Sequence, residues 1–213
     1  MGTDIRLFGA DYSVYVRIAR LALEEKGVDY ELVPVDIFAE GGPSADYLAR
    51  HPFARIPAFD HGGFRLYETG AITRYIDEAF EGQALQPKDA ETRARCNQII
   101  SIADNYAYMH MVWGVFVEQV EKPTNGQPMD EARFAASLEI SRKVLSALSG
   151  FKQNGPWLLG DTLSLGDLYY APIFDYFLMA EDGKKLIGDY PALQDWWTEM
   201  SARPSMVRTA PTV

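Results

Sequence analysis

The sequence predicts an α+β protein in which a small α/β domain is followed by an all-helical domain. Two observations carry this prediction. Strand, helix and strand signals follow one another between Ile5 and Val33, which is the order of a βαβ unit. From Asp89 onward the signals are helical. A chain that changes from mixed elements to helices in this way is typical of α+β proteins.

The first domain begins with the βαβ unit. The segment Ile5–Phe8 is short, rich in apolar residues and followed by a glycine, which is typical of a strand. From Val14 to Glu25 apolar positions recur at helical spacing among residues of high helix propensity. Lys26 and Gly27 then supply the cation and the glycine that commonly end a helix. A second strand at Tyr30–Val33 completes the unit, so we expect a parallel strand pair with a right-handed crossover.

The remainder of the first domain is predicted to hold a hairpin between two helices. Ser44 can cap a short helix that runs to Arg50. Two short apolar segments flank Gly62 and Gly63, and this pattern predicts a β-hairpin. An amphipathic helix then runs from Ala71 to Ala79.

A cluster of glycine, glutamine and proline marks the domain boundary. We assign residues 1–82 to the first domain, 83–88 to a linker and 89–213 to the helical domain. Within the second domain, the helix from Ala94 to Phe116 is apolar nearly all round, which predicts burial between other helices. Three further helices are predicted at Asp130–Leu148, Ser164–Met179 and Pro191–Ala202.

The composition restricts the classes of function. The chain has 20 Lys and Arg against 30 Asp and Glu, a formal charge of −10, which argues against binding to nucleic acid or to an anionic membrane. Its single cysteine, Cys96, excludes an intramolecular disulfide and a thiolate metal cluster. The three histidines lack metal-ligand spacing, so we expect no metal site. With no signal-peptide pattern and no uncharged apolar run of membrane-spanning length, we expect a cytoplasmic protein.

Two hydroxyl residues at helix starts can either cap the helix or help to hold an anion. Ser13 precedes the first helix and Thr69 the third, and each can accept a hydrogen bond from an early helical N–H. The same place suits a bound anion, because unpaired N–H groups and the helix dipole point there. From position alone we favour capping for Ser13. Arg17, one turn further on, is predicted to lie on a solvated helix surface.

Four segments, in order, resemble the cytosolic glutathione transferases and together span nearly the whole chain. Residues 7–27 resemble the start of that family. Residues 51–58, H-P-F-A-R-I-P-A, are similar to the family pattern N-P-F-G-K/Q-V-P-A, with His and Ala in place of Asn and Gly. Residues 66–76 are similar to L-x-E-S-x-A-I-x-x-Y-I, with Thr in place of Ser. Residues 157–167 resemble the late family signature, in which a Ser/Thr-x-x-Asp box caps a buried helix.

The resemblance implies a thioredoxin-like first domain that binds glutathione, followed by an all-α domain. It implies a transferase of the serine type, either phi- or theta-like or of a related bacterial class. Ser13 would then donate the hydrogen bond that activates the glutathione thiol. Tyr12 and Tyr15 flank it, and a tyrosine hydroxyl is the alternative. The spacing from Ser13 to Arg17 favours Ser13.

The resemblance also implies which residues hold glutathione, its co-substrate. The backbone of Ile56 would pair with the cysteinyl part of the tripeptide, before a cis Pro57. Glu68 and Thr69 would hold the γ-glutamyl end, and the charge of Arg55 suits a carboxylate.

A small hydrophobic electrophile is the implied second substrate, in a pocket between the domains. We expect Tyr12, His110 and Trp113 to line this pocket, because an apolar, aromatic site suits such a ligand. The alternatives are a non-catalytic binding or interaction module, or a glutathione-dependent peroxidase or lyase on the same scaffold. The resemblance also implies a homodimer, with Phe53 as the aromatic residue that would insert into the partner subunit.

Overall fold

The structure, a computed structural model, describes residues 4–212, which divide into two compact units. The first unit holds the chain up to Leu85 and resumes at Pro204, and the second unit spans Gln86–Arg203. The sequence predicts that everything after residue 88 belongs to the helical domain, whereas the segment that begins at Pro204 packs with the first unit. The assignment of residues 1–82, 83–88 and 89–213 to functional domains stays a prediction.

The first unit is built on a mixed four-stranded sheet with the strand order β2-β1-β3-β4. Its strands are β1 (Ile5–Phe8), β2 (Glu31–Val33), β3 (Ala58–His61) and β4 (Phe64–Tyr67). β1 pairs in parallel with β2 and antiparallel with β3, and β3 pairs antiparallel with β4. The predicted βαβ unit and hairpin are therefore confirmed.

Two adjacent glycines form the hairpin turn. Gly62 and Gly63 have φ values of 56° and 89°, and a two-residue hairpin turn of this kind needs the left-handed region at both central positions. His61 and Phe64 pair directly across the turn. The turn therefore sets the register of β3 against β4, and with it the face on which each side chain lies.

The first helix of the unit, α1 (Val14–Glu25), connects β1 to β2 and is buried along most of its length. It ends as predicted, at a glycine with a φ of 66°. Gly27 donates its N–H to the carbonyl of Glu24, and Val28 donates to the carbonyl of Leu23. These bonds form a Schellman motif, which satisfies the last carbonyls of the helix. Two further helices of this unit are α2 (Ala45–Leu48) and α3 (Thr69–Ala79).

The second unit is helical, and its longest helix differs from the prediction. Sequence analysis predicts an α-helix from Ala94 to Phe116, whereas α4 (Ala90–Ile102) continues into a π-helical segment (Ala103–Glu121) and then into α5 (Lys122–Thr124). At the end of the π-helical segment, the N–H of residue 122 bonds to a carbonyl five residues back. Such segments are rare, and an all-round apolar pattern does not distinguish them from α-helix. The later helices are α6 (Glu131–Phe151), α7 (Leu165–Phe177), α8 (Glu181–Ile187), α9 (Pro191–Ser201) and α10 (Pro204–Arg208), the last of which belongs to the first unit.

The core of the second unit is α7, whose N-terminus is held by a buried carboxylate. Asp167 Oδ1 accepts hydrogen bonds from the Leu158 N–H and the Trp196 Nε1–H, both at 2.8 Å. Its Oδ2 accepts the Ser164 N–H at 2.8 Å and the Ser164 Oγ–H at 2.7 Å. The predicted Ser-x-x-Asp box is therefore present, and it also joins the α9 indole and the loop before α7 to this helix.

Candidate active site

Segments that are far apart in sequence meet at one edge of the sheet in the first unit. Phe8, at the end of β1, lies opposite Ala58, at the start of β3. Ala58 lies opposite Tyr67, at the end of β4. The turn that leads to Ser13, the Pro57 peptide before β3 and the start of α3 after β4 therefore lie at the same edge. This register brings together three of the predicted site segments.

Ser13 is the N-cap of α1. Its Oγ accepts a hydrogen bond from the Val16 N–H at 3.4 Å, and its own N–H closes a turn onto the carbonyl of Ala10 at 3.1 Å. A hydroxyl that accepts through a lone pair still has its proton to donate. The capping role and the predicted activating role of Ser13 are therefore compatible.

The two tyrosines that flank Ser13 lie in different surroundings. The Tyr12 side chain is 47% exposed, whereas Tyr15 is half-buried. Burial, together with the negative charges of Asp36 and Asp11, raises the pKa of Tyr12. A raised pKa disfavours the phenolate form of Tyr12, so its hydroxyl is a weaker acid than that of an unperturbed tyrosine and stays protonated at neutral pH.

The prediction that Arg17 lies on a solvated surface is wrong. Its side chain is buried, with 2% exposed. The guanidinium donates from Nη2 to the carbonyl of Met206 at 3.2 Å and from Nε to Thr209 Oγ1 at 3.4 Å. The reason is that α10, from the far end of the chain, packs over this face of α1. The sequence of α1 alone does not show that another helix packs there.

The loop before β3 is held in a defined conformation. The Ile56–Pro57 peptide bond is cis, as the resemblance implies, and Ala54 has a φ of 53°. The buried Tyr47 hydroxyl donates to the carbonyl of Arg55 at 2.6 Å. Burial raises the pKa of Tyr47, which keeps this donor protonated. No sequence pattern indicates this role of Tyr47, because an aromatic residue on a short helix is ordinarily assigned to the core.

A buried ion pair fixes the end of α2 to the sheet beside this loop. Arg50 Nη1 lies 2.5 Å from Asp60 Oδ2. Asp60 is 3% exposed, and its neighbours in the strand register are Arg6 and Arg65, at 3.6 Å and 3.8 Å. The ion pair between Arg50 and Asp60 is not predicted from the sequence either. An aspartate in an apolar strand is its only local signal, and that signal does not identify the arginine that pairs with it.

His51 occupies the position of the family asparagine. Its side chain is 2% exposed, and its ring centroid lies 5.0 Å from that of Tyr67. Within residues 4–212 its Nδ1 has no hydrogen-bond partner. Burial lowers the pKa of His51, with the charge of Glu68 acting against this effect and that of Arg55 adding to it. The ring is therefore held in its neutral form, as part of an aromatic cluster.

The start of α3 differs in one detail from the prediction. Thr69 is expected as the N-cap, but it is the first helical residue, and Glu68 occupies the cap position with a φ of 70°. A positive φ at a residue with a side chain is strained and is often found at functional sites. In the described part of the chain, no side chain caps this helix end. The positive end of α3 is therefore available to an anion.

The remaining predicted glutathione residues lie in the same loop. Arg55 is exposed, Ile56 is half-buried and Pro57 is buried. An exposed guanidinium can swing towards a carboxylate and bind it through two parallel hydrogen bonds. The structure brings Ser13, Ile56, Pro57, Glu68 and Thr69 to one sheet edge, and Arg55 lies next to them in the chain.

His110 and Trp113 lie on the π-helical segment of the second unit. His110 Nδ1 is 3.2 Å from Ser137 Oγ on α6. α6 can approach this closely because residue 114 is glycine: a Cβ there would lie 2.0 Å from the Ser137 Oγ. Burial lowers the pKa of His110, as does the charge of Arg133. The His110 ring is therefore neutral and its orientation is fixed. Trp113, three residues further along the chain, is half-buried.

Residues 4–212 contain neither a cluster of metal-binding side chains nor a membrane-spanning helix. No three His, Cys, Asp or Glu side chains come close enough together to hold a metal ion. No helix in this range combines the length and the apolarity that a membrane-spanning segment needs.

Comparisons with known proteins identify both parts of the chain. Residues 7–84 match the family model "Glutathione S-transferase, N-terminal domain", and residues 100–204 match "Glutathione S-transferase, C-terminal domain". Glutathione S-transferase F6 of Arabidopsis thaliana is 31% identical over 205 residues, which cover 94% of this chain and 96% of the relative.

Solved structures agree with these matches. Glutathione S-transferase I bound to lactoylglutathione has a TM-score of 0.84 and 28% identity, over 97% of this chain and 98% of that chain. Glutathione S-transferase I from maize, in complex with an atrazine–glutathione conjugate, has a TM-score of 0.83 and 28% identity, over 96% of this chain and 95% of that chain.

Proposed function

The chain belongs to the glutathione S-transferase family, and on that premise we propose that its first unit binds glutathione and that Ser13 activates the thiol. The reaction is the addition of the glutathione thiolate to a hydrophobic electrophile. The observation that carries the proposal is the meeting of Ser13, the cis Pro57 and the uncapped start of α3 at one sheet edge. The relatives are phi-like plant enzymes, in agreement with a serine-type site.

Ser13 acts by stabilising the ionised form of sulfur. A free thiol has a pKa of about 8.5, so only a few per cent is thiolate at neutral pH. A hydrogen bond donated by the Ser13 hydroxyl to sulfur, at the positive end of α1, favours the thiolate. Lowering the pKa by one unit corresponds to about 1.4 kcal/mol. Serine stays neutral throughout and donates.

The chemical step is nucleophilic attack. The thiol proton leaves to solvent when glutathione ionises. The thiolate then forms a C–S bond to the electrophilic carbon, and the electron pair of the bond that breaks at that carbon goes to the leaving group or to an acceptor. Ser13 forms no covalent bond in this sequence.

The glutathione backbone is assigned to the loop and the helix start that flank Ser13. The backbone of Ile56, ahead of Pro57, pairs with the cysteinyl residue. Thr69 and the N–H groups at the start of α3 bind the γ-glutamyl carboxylate, and Glu68 binds the ammonium. Arg55 binds the carboxylate at the other end of the tripeptide. The support for this assignment is the uncapped end of α3 and the exposed guanidinium.

Calorimetric titration with glutathione tests this assignment. Glu68→Ala and Thr69→Ala should each weaken binding about tenfold, which is the effect of losing one charge-assisted hydrogen bond. Glu81→Gln, an exposed carboxylate just after α3, is the matched control and should bind as the wild type does. Unchanged affinity in both site variants would reject the assignment.

For the electrophile we propose contacts with Tyr12, His110 and Trp113. The exposed ring of Tyr12 and the neutral ring of His110 support this proposal. Trp113→Ala should raise the KM for the electrophile several-fold and leave the KM for glutathione within twofold. The opposite pattern, a change only in the KM for glutathione, would contradict it.

We also propose that the enzyme is a homodimer. The Phe53 side chain is 67% exposed, at edge-to-face distances of 6.3 Å and 6.1 Å from the His51 and Tyr67 rings. An exposed aromatic residue in such a cluster suits an isologous contact. Light scattering should report about twice the 23.9 kDa chain mass. Phe53→Ser should shift the enzyme towards monomer, while Phe38→Ser, a residue that is 69% exposed, should not.

A cytoplasmic location is part of the proposal. It is supported by the acidic composition and by a single cysteine, Cys96, whose side chain is buried. Cell fractionation with an antibody to the protein would test it, and recovery in the membrane pellet would contradict it.

A further inference from the structure

The C-terminal segment, residues 204–212, is bound along α1 by buried cations. Arg17 and Arg20 are 2% and 9% exposed. Arg17 Nη2 donates to the carbonyl of Met206 at 3.2 Å, and Arg20 donates to the carbonyls of Arg208 and Thr209, both at 3.1 Å. These carbonyls lie at the end of α10, where a helix leaves its last carbonyls without partners and favours cations. The segment is thus fixed to α1 rather than loosely associated with it.

Beyond α10 the same segment reaches the turn that carries Ser13. The Thr212 N–H donates to Asp11 Oδ2 at 2.9 Å, and the Thr212 hydroxyl donates to the same oxygen at 2.7 Å. Asp11 is the second residue of the turn that the Ser13 N–H closes onto the carbonyl of Ala10. Both bonds from Thr212 lower the pKa of Asp11, so the acceptor is charged and the bonds are of the stronger, charge-assisted kind.

The contact with Thr212 restrains the middle of this turn, whose two ends are held by other hydrogen bonds. At one end the Gly9 N–H bonds to the carbonyl of Val33 at 2.9 Å, and at the other the Arg17 N–H bonds to the carbonyl of Ser13, also at 2.9 Å. Asp11 lies between these anchors, and Thr212 restrains it there. The direction of the Ser13 hydroxyl depends on the backbone of this turn. Hydrogen bonds weaken steeply with angle, and small displacements of a catalytic group reduce rates strongly.

We propose that Asp11 and Thr212 form a latch through which the C-terminal segment positions Ser13 for activation of the glutathione thiol. The inference rests on the role proposed above for Ser13. Asp11 and Thr212 are positioning residues: they act through the turn and do not touch sulfur. The latch closes only when α10 is docked on α1, so the ionisation of bound glutathione depends on the far end of the chain.

The test compares two latch variants of the full chain with the wild type. Asp11→Ala removes the acceptor of both bonds, and Thr212→Val removes the hydroxyl but keeps the N–H. We expect kcat at neutral pH to fall about tenfold in Asp11→Ala and about threefold in Thr212→Val, with the KM for glutathione within twofold. The pKa of the bound thiol, read from the ultraviolet absorbance of the thiolate during a pH titration, should rise in the same order. A merely structural role would not move that pKa.

Two controls separate positioning from general loss of stability. Ser205→Ala removes a bond from the same segment to Glu25, at the opposite end of α1, and should leave kcat and the thiol pKa unchanged. In a Ser13→Ala background, Thr212→Val should have no further effect on the thiol pKa, since the latch acts through Ser13.

The outcomes distinguish the latch from the proposed function. If the wild type does not ionise bound glutathione, the proposed function fails. If the wild type does so and both latch variants keep its kcat and pH profile, or if Ser205→Ala loses as much as they do, the latch is overturned. A Thr212→Val enzyme with the wild-type melting temperature and a raised thiol pKa supports it.

Discussion

Replacing Asp167 is predicted to cost the second unit a large part of its stability. In Asp167→Ala, four donors lose their acceptor: the Leu158 N–H, the Ser164 N–H and Oγ–H, and the Trp196 Nε1–H. A buried donor left without a partner costs about 1–3 kcal/mol, and the four costs do not add fully because water and local relaxation recover part of them. Breaking a buried hydrogen-bond network is among the few mechanisms by which one substitution costs about 4 kcal/mol or more. We therefore expect about 4 kcal/mol of lost unfolding free energy, or about 8–16 °C in melting temperature.

The assay is urea unfolding followed by tryptophan fluorescence, with a thermal scan alongside. Asp167→Asn preserves shape and one carbonyl oxygen but places an amide NH₂ near the donors, so it should lose about half as much. Asp161→Asn, an exposed aspartate in the same loop, is the control and should unfold as the wild type does. A loss below about 1 kcal/mol in Asp167→Ala would contradict this prediction, because it would mean that the buried donors find other partners.

Two further predictions concern the loop before β3. Ala54 has a φ of 53°, which costs a residue with a Cβ about 1–2 kcal/mol. Glycine gives back about 0.4–1 kcal/mol through the unfolded state, so Ala54→Gly should raise the unfolding free energy by about 0.5–1 kcal/mol in urea titration. A destabilised variant would contradict this. Burial lowers the pKa of His51 below its ordinary value of 6.5. The unfolded chain then binds more protons below about pH 6.5, so stability should fall as the pH drops from 7 to 5.5. His51→Asn should flatten this fall, and an equal slope in both proteins would contradict the assignment.

Local sequence patterns predicted the elements of the first unit well, because their helix ends and turns require particular residue types. The helix end at Gly27 needs a positive φ, and the hairpin turn needs a positive φ at both Gly62 and Gly63. Glycine adopts a positive φ without strain, so glycines at these places indicate a helix end and a turn. The alternation of short apolar segments with turns then predicted the parallel pair of β1 and β2 and the hairpin of β3 and β4, but not the pairing of β1 with β3. The motif at residues 51–58 gave the cis Pro57, through resemblance rather than through any physical signal in the residues.

What the sequence could not predict depends on contacts between distant residues. Arg17 was expected in solvent and is buried under α10, 189 residues away in sequence at Met206. The bond from Thr212 to Asp11 spans 201 residues. A helix surface pattern shows which face is apolar, but a long cationic side chain can cover apolar surface or be covered itself. Only the tertiary structure decides between these outcomes.

The start of α3 and the π-helical segment were missed for a different reason. A hydroxyl residue before a helix is the usual N-cap, so Thr69 was the expected cap. Glu68 instead takes a strained backbone there, with a φ of 70°, and strain of this kind has no signature in residue type. Likewise, the apolar pattern from residue 94 onward shows burial but not the number of residues per turn. At Glu68, a residue of the proposed glutathione site, the backbone conformation therefore differs from the one that local sequence rules predict.

Whether Ser13 activates the glutathione thiol is tested most directly by the pKa of that thiol when glutathione is bound to Ser13→Ala. It is measured by ultraviolet titration of the thiolate and compared with the wild type, Tyr12→Phe and Tyr15→Phe. We expect this pKa to rise towards the value of free thiol, about 8.5, in Ser13→Ala alone. We also expect kcat at neutral pH to fall at least about tenfold, while the affinity for glutathione stays within about threefold. An unchanged thiol pKa in Ser13→Ala, or a rise in the thiol pKa in either tyrosine variant instead, would contradict the proposed role of Ser13.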